Sequence, residues 1–377
     1  MKAEDSATAF DCFLIADDLT GACDAAVHFA MRGRRTLVPV APGAEPADAA
    51  VIAISTESRN LEPVAARDAI SAAAARLAIG SPSILFKKID STLRGQTGVE
   101  IAAALSAFGC DAALVCPAFP RMNRIVEAGY LRVAGDADSA PIEVAAHLRG
   151  QRPERCVRAA HNTIAEAISS GARIMVLDAV CDRDLDRIAA AGLALDGRIL
   201  WAGSAGLAAA LARTLPVRPQ SPPQPAPQGP VLFCIGSDHR VTIAQQTALV
   251  SQRRALLIES ESSELTDAIR MKAALSCGRH VVLRIPYGLV SAESLAEMVV
   301  HAPASAIVLS GGDTASLLCR ALGVRSIELF DEIVPGVPRG AIRGGLLDGF
   351  SVVTKSGGFG RTDALIQVAD FFACPNQ

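Results

Sequence analysis

Short apolar runs recur along the chain, and each is followed by a turn rich in glycine, aspartate or serine and then by an alanine-rich stretch of helical character. These runs occupy residues 10–16, 51–54, 84–86, 112–116, 173–177, 199–201, 231–235, 255–258, 280–285, 306–309 and 351–353. Short buried runs that alternate with helices are typical of parallel sheets joined by right-handed crossovers. The pattern therefore predicts an α/β fold.

A proline-rich segment at residues 216–230 interrupts this alternation. It contains seven prolines and no long apolar run. Because proline removes backbone donors and restricts φ, the segment is predicted to be an extended, semi-rigid linker. It separates a first domain, residues 1–215, from a second domain, residues 231–377. Each domain is predicted to be a largely parallel sheet flanked by helices.

Composition supports two globular domains and excludes several other classes of protein. The 377 residues are 50% hydrophobic, which suits two cores at ~100–200 residues per domain and is too apolar for a disordered chain. A net charge of −3 offers no basic surface for nucleic acid, and no run approaches the ~20 apolar residues of a membrane span. The start of the chain lacks a secretory-signal pattern, and the ten cysteines lack metal-site spacing. We therefore expect a cytoplasmic protein with free thiols that binds neither nucleic acid nor membrane.

Polar and glycine-rich clusters follow the predicted strands, at the sheet edge where open α/β proteins bind ligands. The first cluster contains the adjacent carboxylates Asp17 and Asp18. Two neighbouring carboxylates need a partner such as Mg²⁺, a substrate hydroxyl or a basic side chain. The alternative is that one aspartate only caps the following helix.

A second cluster, residues 86–95, is dense in charge. Lys88, Asp90 and Arg94 lie in this segment together with Lys87, Ser91 and Thr92. Arginine offers a two-pronged donor and lysine a point charge, so the turn suits an anionic ligand. An exposed salt-bridged turn is the ordinary alternative. The proline-framed segment 116–124 also places an arginine, Arg124, where it can meet a carboxylate or a phosphate.

Glycine-rich turns dominate the second domain. Ser237 follows one predicted strand, the segment from Ser310 to Thr314 follows another, and a third turn, residues 354–360, carries Lys355. Glycines that precede a helix expose backbone N–H groups to a phosphate, aided by the helix dipole. These turns predict a phosphate site, and since no G-x-x-x-x-G-K-[ST] motif occurs, the site is not a P-loop.

Six motifs in order give the chain a resemblance to a known family. They are DDLTGA, KKIDSTLRG, PAFP with the following Arg124, GSAGLA, GGDTA and KSGGFG. Together they span almost the whole chain, and in this order they resemble the four-carbon acid sugar kinase family of threonate, erythronate and 3-oxo-tetronate kinases. The resemblance implies an amino-terminal acid-sugar-binding domain and a carboxyl-terminal ATP-binding domain. It also implies phosphorylation of the terminal hydroxyl of a tetronic acid.

The resemblance assigns candidate site residues motif by motif. Substrate contacts would come from Asp17, Asp18, Lys88, Asp90 and Arg94. Nucleotide contacts would come from Ser237, Gly311, Gly312, Asp313, Thr314, Gly357 and Gly358. After PAFP the family usually has Gly-Arg-x-Thr, whereas this chain has Asn-Arg-Ile-Val. This departure leaves the identity of the acid sugar open.

The expected mechanism is phosphoryl transfer by positioning and charge neutralisation. Lys88 and Arg94 would hold the substrate carboxylate, and Asp18 or Asp90 would accept the proton of the attacking hydroxyl. Mg²⁺ would bridge the ATP phosphates. The protein ligands of the Mg²⁺ ion are not assigned, although Asp313 is an alternative candidate for a metal ligand or for the general base. Closure of the two domains across the linker would exclude water.

Other functional classes fit the sequence less well. A catalytically inactive binding protein for nucleotide and acid sugar is the main alternative, and the complete set of acidic residues argues against it. An NAD-dependent dehydrogenase would need G-x-G-x-x-G after its first strand, and this motif is absent. The oligomeric state stays open, a homo-oligomer included.

Overall fold

Residue contacts divide the chain into two units. In the computed structural model the described residues are 10–41, 43, 48–76, 82–134, 140–151, 155–219, 226–259, 264–285 and 291–373. The first unit comprises Met1–Thr36 and Pro46–Pro219, and the second comprises Leu37–Glu45 and Gln220–Gln377. The domain boundaries expected at residues 215 and 231 stay a prediction.

Strands and helices alternate through the first part of the chain. In order they are β1 Cys12–Ala16, α1 Leu19–Ala30, β2 Thr36–Pro39, β3 Val51–Ser55, α2 Pro63–Ala75, β4 Ile84–Lys88, α3 Thr97–Ala107, β5 Ala112–Cys116, a 3-10 helix at Pro120–Met122, β6 Arg124–Glu127, β7 Tyr130–Val133, β8 Ile142–Glu143, α4 Val144–Gln151, β9 Cys156–Ala159, α5 Ile164–Ser169, β10 Ile174–Leu177, α6 Asp182–Leu193, β11 Ile199–Gly203 and α7 Ala205–Thr214.

The second part of the chain continues the alternation and adds one antiparallel hairpin. In order its elements are β12 Val231–Ile235, α8 Arg240–Arg253, β13 Leu256–Glu259, α9 Glu264–Ser276, β14 Val281–Arg284, α10 Ala292–Val300, β15 Ala306–Ser310, α11 Gly312–Ala321, β16 Ser326–Val334, β17 Val337–Arg343, β18 Ser351–Lys355 and α12 Ala364–Phe372.

The first unit is built on a parallel sheet with the strand order β3-β1-β4-β11-β5-β10-β9. Every residue of β1 is buried, as expected for a parallel strand covered on both faces. Ala16 at the end of β1 pairs with Lys88 at the end of β4, which in turn pairs with Gly203 at the end of β11. The loops that follow these strands therefore begin side by side at one edge of the sheet.

The sheet of the second unit has the strand order β13-β14-β12-β15-β18-β17-β16-β2. Strands β13, β14, β12, β15 and β18 are parallel, whereas β17 is antiparallel to both of its neighbours. The contacts assign Leu37–Glu45 to this unit, and here the backbone N–H of Val40 donates to the carbonyl of Arg325 over 2.9 Å. The sequence pattern did not indicate this placement.

Each of the apolar runs singled out in the sequence overlaps an observed strand, and the α/β fold class is confirmed. The strands that the pattern missed are β2, β6 to β9, β16 and β17. Strand β16 reads SIELFDEIV and has three buried residues out of nine, so it lacks a continuous apolar run. Antiparallel strands tolerate such mixed patterns because one face can meet solvent.

The proline-rich segment has no regular secondary structure where it is described. Residues 220–225 of the predicted linker lie outside the described residues. On one side of them, the carbonyl of Pro216 accepts a hydrogen bond from Arg34 Nη1 over 2.6 Å. On the other side, the N–H of Gly229 donates to the carbonyl of Phe372 over 2.8 Å. In the part of the chain that the structure describes, no helix combines the length and apolar character needed to cross a membrane.

Candidate functional site

The candidate substrate residues of the first unit lie where its strand order changes direction. From β1 the chain proceeds to β3 on one side, and β4 then lies on the other side of β1. The loops after β1 and β4 therefore diverge and leave a crevice, which is the usual ligand position in an open α/β sheet. Asp17 and Asp18 follow β1, and Asp90 follows β4, so the topology brings the three carboxylates to this crevice.

One arginine, Arg59, joins these three carboxylates. Its Nε lies 2.7 Å from Asp17 Oδ2, its Nη2 lies 3.5 Å from Asp90 Oδ2, and its Nη1 is bonded to Asp18 Oδ2. The aspartates are 2–5% exposed, and the Arg59 side chain is 18% exposed. Arg59 has no local signal in the sequence, since its Ser-Arg-Asn turn contains no glycine and begins several residues after the apolar run of β3.

Asp18 has two structural partners besides Arg59. It is the N-cap of α1, where its Oδ1 accepts a hydrogen bond from the N–H of Gly21 over 2.6 Å. The hydroxyl of Thr20 donates to its Oδ2 over 3.3 Å. The helix cap considered as an alternative is therefore present, and it coexists with the ion pair. Asp17 differs, because its Oδ1 is buried and has no hydrogen-bond partner among the described residues.

Asp90 organises the turn that follows β4. Its Oδ1 accepts hydrogen bonds from the N–H of Thr92 over 2.9 Å and from the Thr92 hydroxyl over 2.5 Å. Its Oδ2 accepts from Arg94 Nη2 over 2.6 Å. The Arg94 side chain is 59% exposed, so its remaining N–H groups face solvent. The turn thus displays one accessible guanidinium beside a buried carboxylate.

The two lysines of the charged segment belong to β4 itself, which corrects the expectation that they lie in the turn after it. Lys87 is completely buried and pairs with Glu100 of α3 over 2.9 Å, so it stabilises the packing of α3 on the sheet. Lys88 is 3% exposed, and its Nζ donates to the carbonyl of Ile89 over 3.0 Å. Alternation along the strand explains why the two side chains point to opposite faces.

Opposing effects set the charge of the acidic cluster. Burial raises the pKa of Asp17, but Arg59, Lys88 and Lys87 outweigh burial and hold this pKa below its ordinary value. Burial likewise raises the pKa of Asp90, while Arg59, Arg94 and Thr92 lower it far below the usual range. Burial lowers the pKa of Arg59, and the three aspartates raise it well above normal. Asp17, Asp90 and Arg59 are therefore ionised at neutral pH.

Two other predicted motifs of the first unit have local structural roles. Arg124 begins β6, and its Nη1 is hydrogen-bonded to the carbonyl of Met122 in the preceding turn. In the GSAG turn, the Ser204 hydroxyl donates to the carbonyl of Ala118 over 2.7 Å. A Cβ on Gly206 would lie 2.5 Å from that same carbonyl oxygen. The small residues of this motif therefore allow α7 to pack closely against the loop that follows β5.

The three glycine turns of the second unit converge. Strand β12 lies between β14 and β15. The strand order of the second unit reverses between β12 and β15, so the loops that follow these two strands diverge. A Cβ on Gly236 would collide with Thr314 Oγ1, and a Cβ on Gly357 would collide with Ser237 Oγ. Glycine at both positions leaves room for the hydroxyl groups of Thr314 and Ser237, so the three turns approach one another closely.

The helix that follows β15 directs its amino terminus into this convergence. Gly311 is the N-cap of α11, with a φ of 107° that suits glycine, and its N–H donates to the carbonyl of Lys355 over 3.1 Å. Gly312 begins the helix, and Asp313 is exposed in its first turn. Backbone N–H groups at a helix terminus next to side-chain-free turns form a cradle that fits a phosphate group. The predicted residues Ser237, Gly311, Thr314 and Gly357 meet here.

Two family models match the chain. One, described as a sugar-binding N-terminal domain, matches residues 12–211. The other, described as a nucleotide-binding C-terminal domain, matches residues 237–365. The acidic cluster lies within the first match and the glycine cradle within the second.

The chain is also similar to characterised proteins and to solved structures. It is 35% identical to a D-threonate kinase of Bordetella bronchiseptica, with 94% of this chain and 96% of that protein covered. It is 29% identical to a D-erythronate kinase of Heliobacterium modesticaldum, with 95% and 96% covered. A Salmonella typhimurium crystal structure shares the fold, with a TM-score of 0.76 and 22% identity over 97% of this chain and all of that chain. The chain belongs to the four-carbon acid sugar kinase family.

Proposed function

We propose that this protein is an ATP-dependent kinase that phosphorylates the terminal hydroxyl of a four-carbon acid sugar. The observation that carries the proposal is the cluster of Asp17, Asp18 and Asp90 around Arg59, with the accessible Arg94 beside it. The cluster supplies carboxylate acceptors for hydroxyl groups and a guanidinium for an acid group. The relatives that carry kinase names cover nearly the whole chain, which supports the same activity.

Arg94 is proposed to anchor the substrate carboxylate. Its guanidinium is largely exposed and uses Nη2 for Asp90, which leaves other N–H groups for a two-pronged contact. Lys88 is buried deeper and adds positive charge beside Asp17 rather than a surface contact. Arg124, on its separate strand, is a further candidate for the substrate acid or phosphate.

An aspartate of the cluster is proposed to accept the proton of the attacking hydroxyl. Asp18 and Asp90 are the two candidates. Positive neighbours lower the pKa of Asp90 and so weaken it as a base. Asp17, with its unpartnered Oδ1, is proposed to bind a substrate hydroxyl.

The glycine cradle of the second unit is proposed to bind the ATP phosphates. Ser237, the Gly311–Thr314 turn with Gly312 and Asp313, and Gly357 with Gly358 would surround them. Mg²⁺ would accompany the nucleotide and neutralise the phosphate charge. The three aspartates of the first unit are already paired with Arg59, so they do not form a preorganised metal site.

The cysteines that the structure describes are free thiols, most of them buried, which supports a reducing compartment. We therefore place the enzyme in the cytoplasm. The homo-oligomeric state stays a prediction. For the proposed activity the partners are small molecules, an acid sugar and ATP.

A panel assay tests this function. The purified chain is mixed with Mg-ATP and with D- and L-threonate, D- and L-erythronate, their 3-oxo analogue and the neutral tetritols, and ADP production is followed. The phosphorus NMR signal of the product should split into a triplet, since a terminal phosphate ester has two neighbouring protons. An Asp18→Asn preparation controls for contaminating kinases. If the protein binds ATP but none of the acids in the panel leads to ADP production, an inactive binding protein is favoured instead.

A further inference from the structure

The carbonyl groups of the KSGGFG loop are held from one side by Lys355 and the helix α8. Lys355 Nζ donates to the carbonyls of Ser356 and Gly357 over 3.0 and 3.2 Å. Its third bond, over 3.0 Å, is to the hydroxyl of Thr242, which itself donates to the Gly357 carbonyl over 2.7 Å. Gln245 Nε2 holds two carbonyls further along the loop, over 3.0 and 2.8 Å.

These bonds determine where the loop directs its N–H groups. A trans peptide places its C=O and the following N–H in opposite directions. Because the carbonyls of Ser356 and Gly357 point toward Lys355, the N–H groups of Gly357 and Gly358 point away from it. The α carbon of Gly357 faces Ser237 Oγ, on the side where the glycine turns meet. The buried lysine therefore orients backbone donors without facing the cradle itself.

The hydrogen bonds at Nζ are better satisfied by the charged form of Lys355 than by the neutral amine. An ammonium has three N–H donors, and Nζ has three acceptors around it. A neutral amine has two donors and a lone pair, and the Thr242 hydroxyl could donate to that lone pair only by giving up its own bond to the Gly357 carbonyl. The residue is completely buried, and burial lowers the pKa of Lys355 to about 7.

No carboxylate compensates this buried charge within the described residues. The elements beside Lys355 carry Arg339 and Arg343 in β17, His239, Arg240 and Arg253 at the start of and within α8, and Arg361 and Asp363 after the loop. Further carboxylates are Asp313 in α11 and Asp370 in α12. Arg361 lies 3.8 Å from Asp363, and Asp370 pairs with Arg253 over 2.7 Å. The ammonium thus depends on neutral acceptors, and an incoming phosphate would be its nearest anion.

We propose that Lys355 is a positioning residue for nucleotide phosphate, and that nucleotide binding is coupled to its protonation. The inference rests on the proposed nucleotide site of the second unit. A bound phosphate stabilises the ammonium, so binding shifts Lys355 toward the charged form and takes up a proton. The affinity for nucleotide then falls as the pH rises through the titration of Lys355, by at most about tenfold per pH unit.

Titration calorimetry of Mg-ADP binding tests this linkage. Binding is measured between pH 6 and 8.5 in buffers that differ in ionisation enthalpy, which yields the number of protons taken up. We compare the parent enzyme with Lys355→Met, which keeps the length of the side chain, and with Lys272→Met, an exposed lysine of α9. Protonation of the nucleotide itself is common to all three proteins and cancels in the difference.

Relative to Lys355→Met, the parent and Lys272→Met should take up an additional fraction of a proton that rises above pH 7. Lys355→Met should also bind Mg-ADP roughly 10–100-fold more weakly, the usual scale for losing hydrogen bonds from a charged group. Thr242→Val removes one bond of the network and keeps the lysine, so it should weaken binding and retain proton uptake.

Equal proton uptake by the parent and Lys355→Met would overturn the linkage while leaving the nucleotide site intact. Unchanged affinity in both Lys355→Met and Thr242→Val would overturn the positioning role. If Lys355→Met does not fold, Thr242→Val and the pH dependence of the parent decide the question. Absence of Mg-ADP binding by the parent would overturn this inference together with the proposed function.

Discussion

Replacing Arg59 with methionine should destabilise the first unit more than any surface substitution. Methionine keeps much of the aliphatic stem and removes the guanidinium that pairs with Asp17, Asp18 and Asp90. Three carboxylates that are at most 5% exposed would then lie close together without their shared counter-charge. Lys88 and Arg94 stay nearby and compensate only in part.

The size of the effect follows from the burial of the pairs. Removing one partner from a buried ion pair costs about 3–5 kcal/mol, because the remaining charge stays desolvated. The three pairs share one guanidinium and are not additive, so we expect the single-pair value for the whole cluster. The urea midpoint of the first unit should fall by roughly 1–2 M.

The destabilisation should shrink as the pH falls. In the parent, Asp17 and Asp90 have pKa values below the ordinary 3.8, so their stabilising contribution is present above pH 3.8 and lost as the pH falls below it. Without Arg59, burial is less opposed and these pKa values rise. The folded variant then takes up protons as the pH falls from 7.5 to 5, which relieves the repulsion among the carboxylates. The difference in unfolding free energy between the variant and the parent therefore becomes smaller.

Trp201 allows the first unit to be followed separately. It is the single tryptophan of the chain and lies buried in β11. Urea unfolding is recorded by its fluorescence at pH 7.5 and pH 5. The matched control is Arg67→Met on α2, whose pair with Asp68 is exposed and should contribute less than about 1 kcal/mol.

Two outcomes would refute this reasoning. One is a loss of stability in Arg59→Met that is no larger than in Arg67→Met. The other is a loss of the same size at both pH values, since that would mean that the guanidinium contributes packing and not counter-charge.

Three further predictions concern catalysis and ligand binding. Gly357→Ala should weaken Mg-ADP binding at least ~10-fold, because the added methyl group would overlap the Ser237 hydroxyl. The control Gly150→Ala, at a position with open space, should bind Mg-ADP normally, and equal affinities in the two variants would contradict the cradle. Asparagine at Asp18 or Asp90 should lower kcat ~10²-fold or more with little change in KM in steady-state assays, and normal turnover in both variants would place the base elsewhere. Arg94→Ala should lower kcat/KM for a tetronate by roughly 10–100-fold and leave the neutral tetritol nearly unaffected, whereas equal losses would show that Arg94 does not bind the acid group.

Most of the parallel strands could be predicted from local pattern, and the antiparallel strands could not. Buried parallel strands such as β1 and β12 are continuous apolar runs, so burial on both faces is visible in the sequence. Strands β16 and β17 form an antiparallel hairpin with charged residues along it, and no apolar run marks them. Likewise the assignment of Leu37–Glu45 to the second unit depends on contacts with residues nearly 300 positions later.

Local sequence is enough to identify the reactive groups that the chain carries: adjacent carboxylates after one strand, a charged segment at the end of another, and glycine turns before helices. The motif order also determined the family. Which of these groups meet was decided only by the tertiary structure, because a salt bridge depends on distance and burial rather than on spacing. Folding brought Arg59, from an inconspicuous turn, between three aspartates and placed Lys87 in the core against Glu100. It also enclosed Lys355 among neutral hydrogen-bond acceptors, where burial lowers the pKa of this lysine. No local sequence pattern indicates that shift.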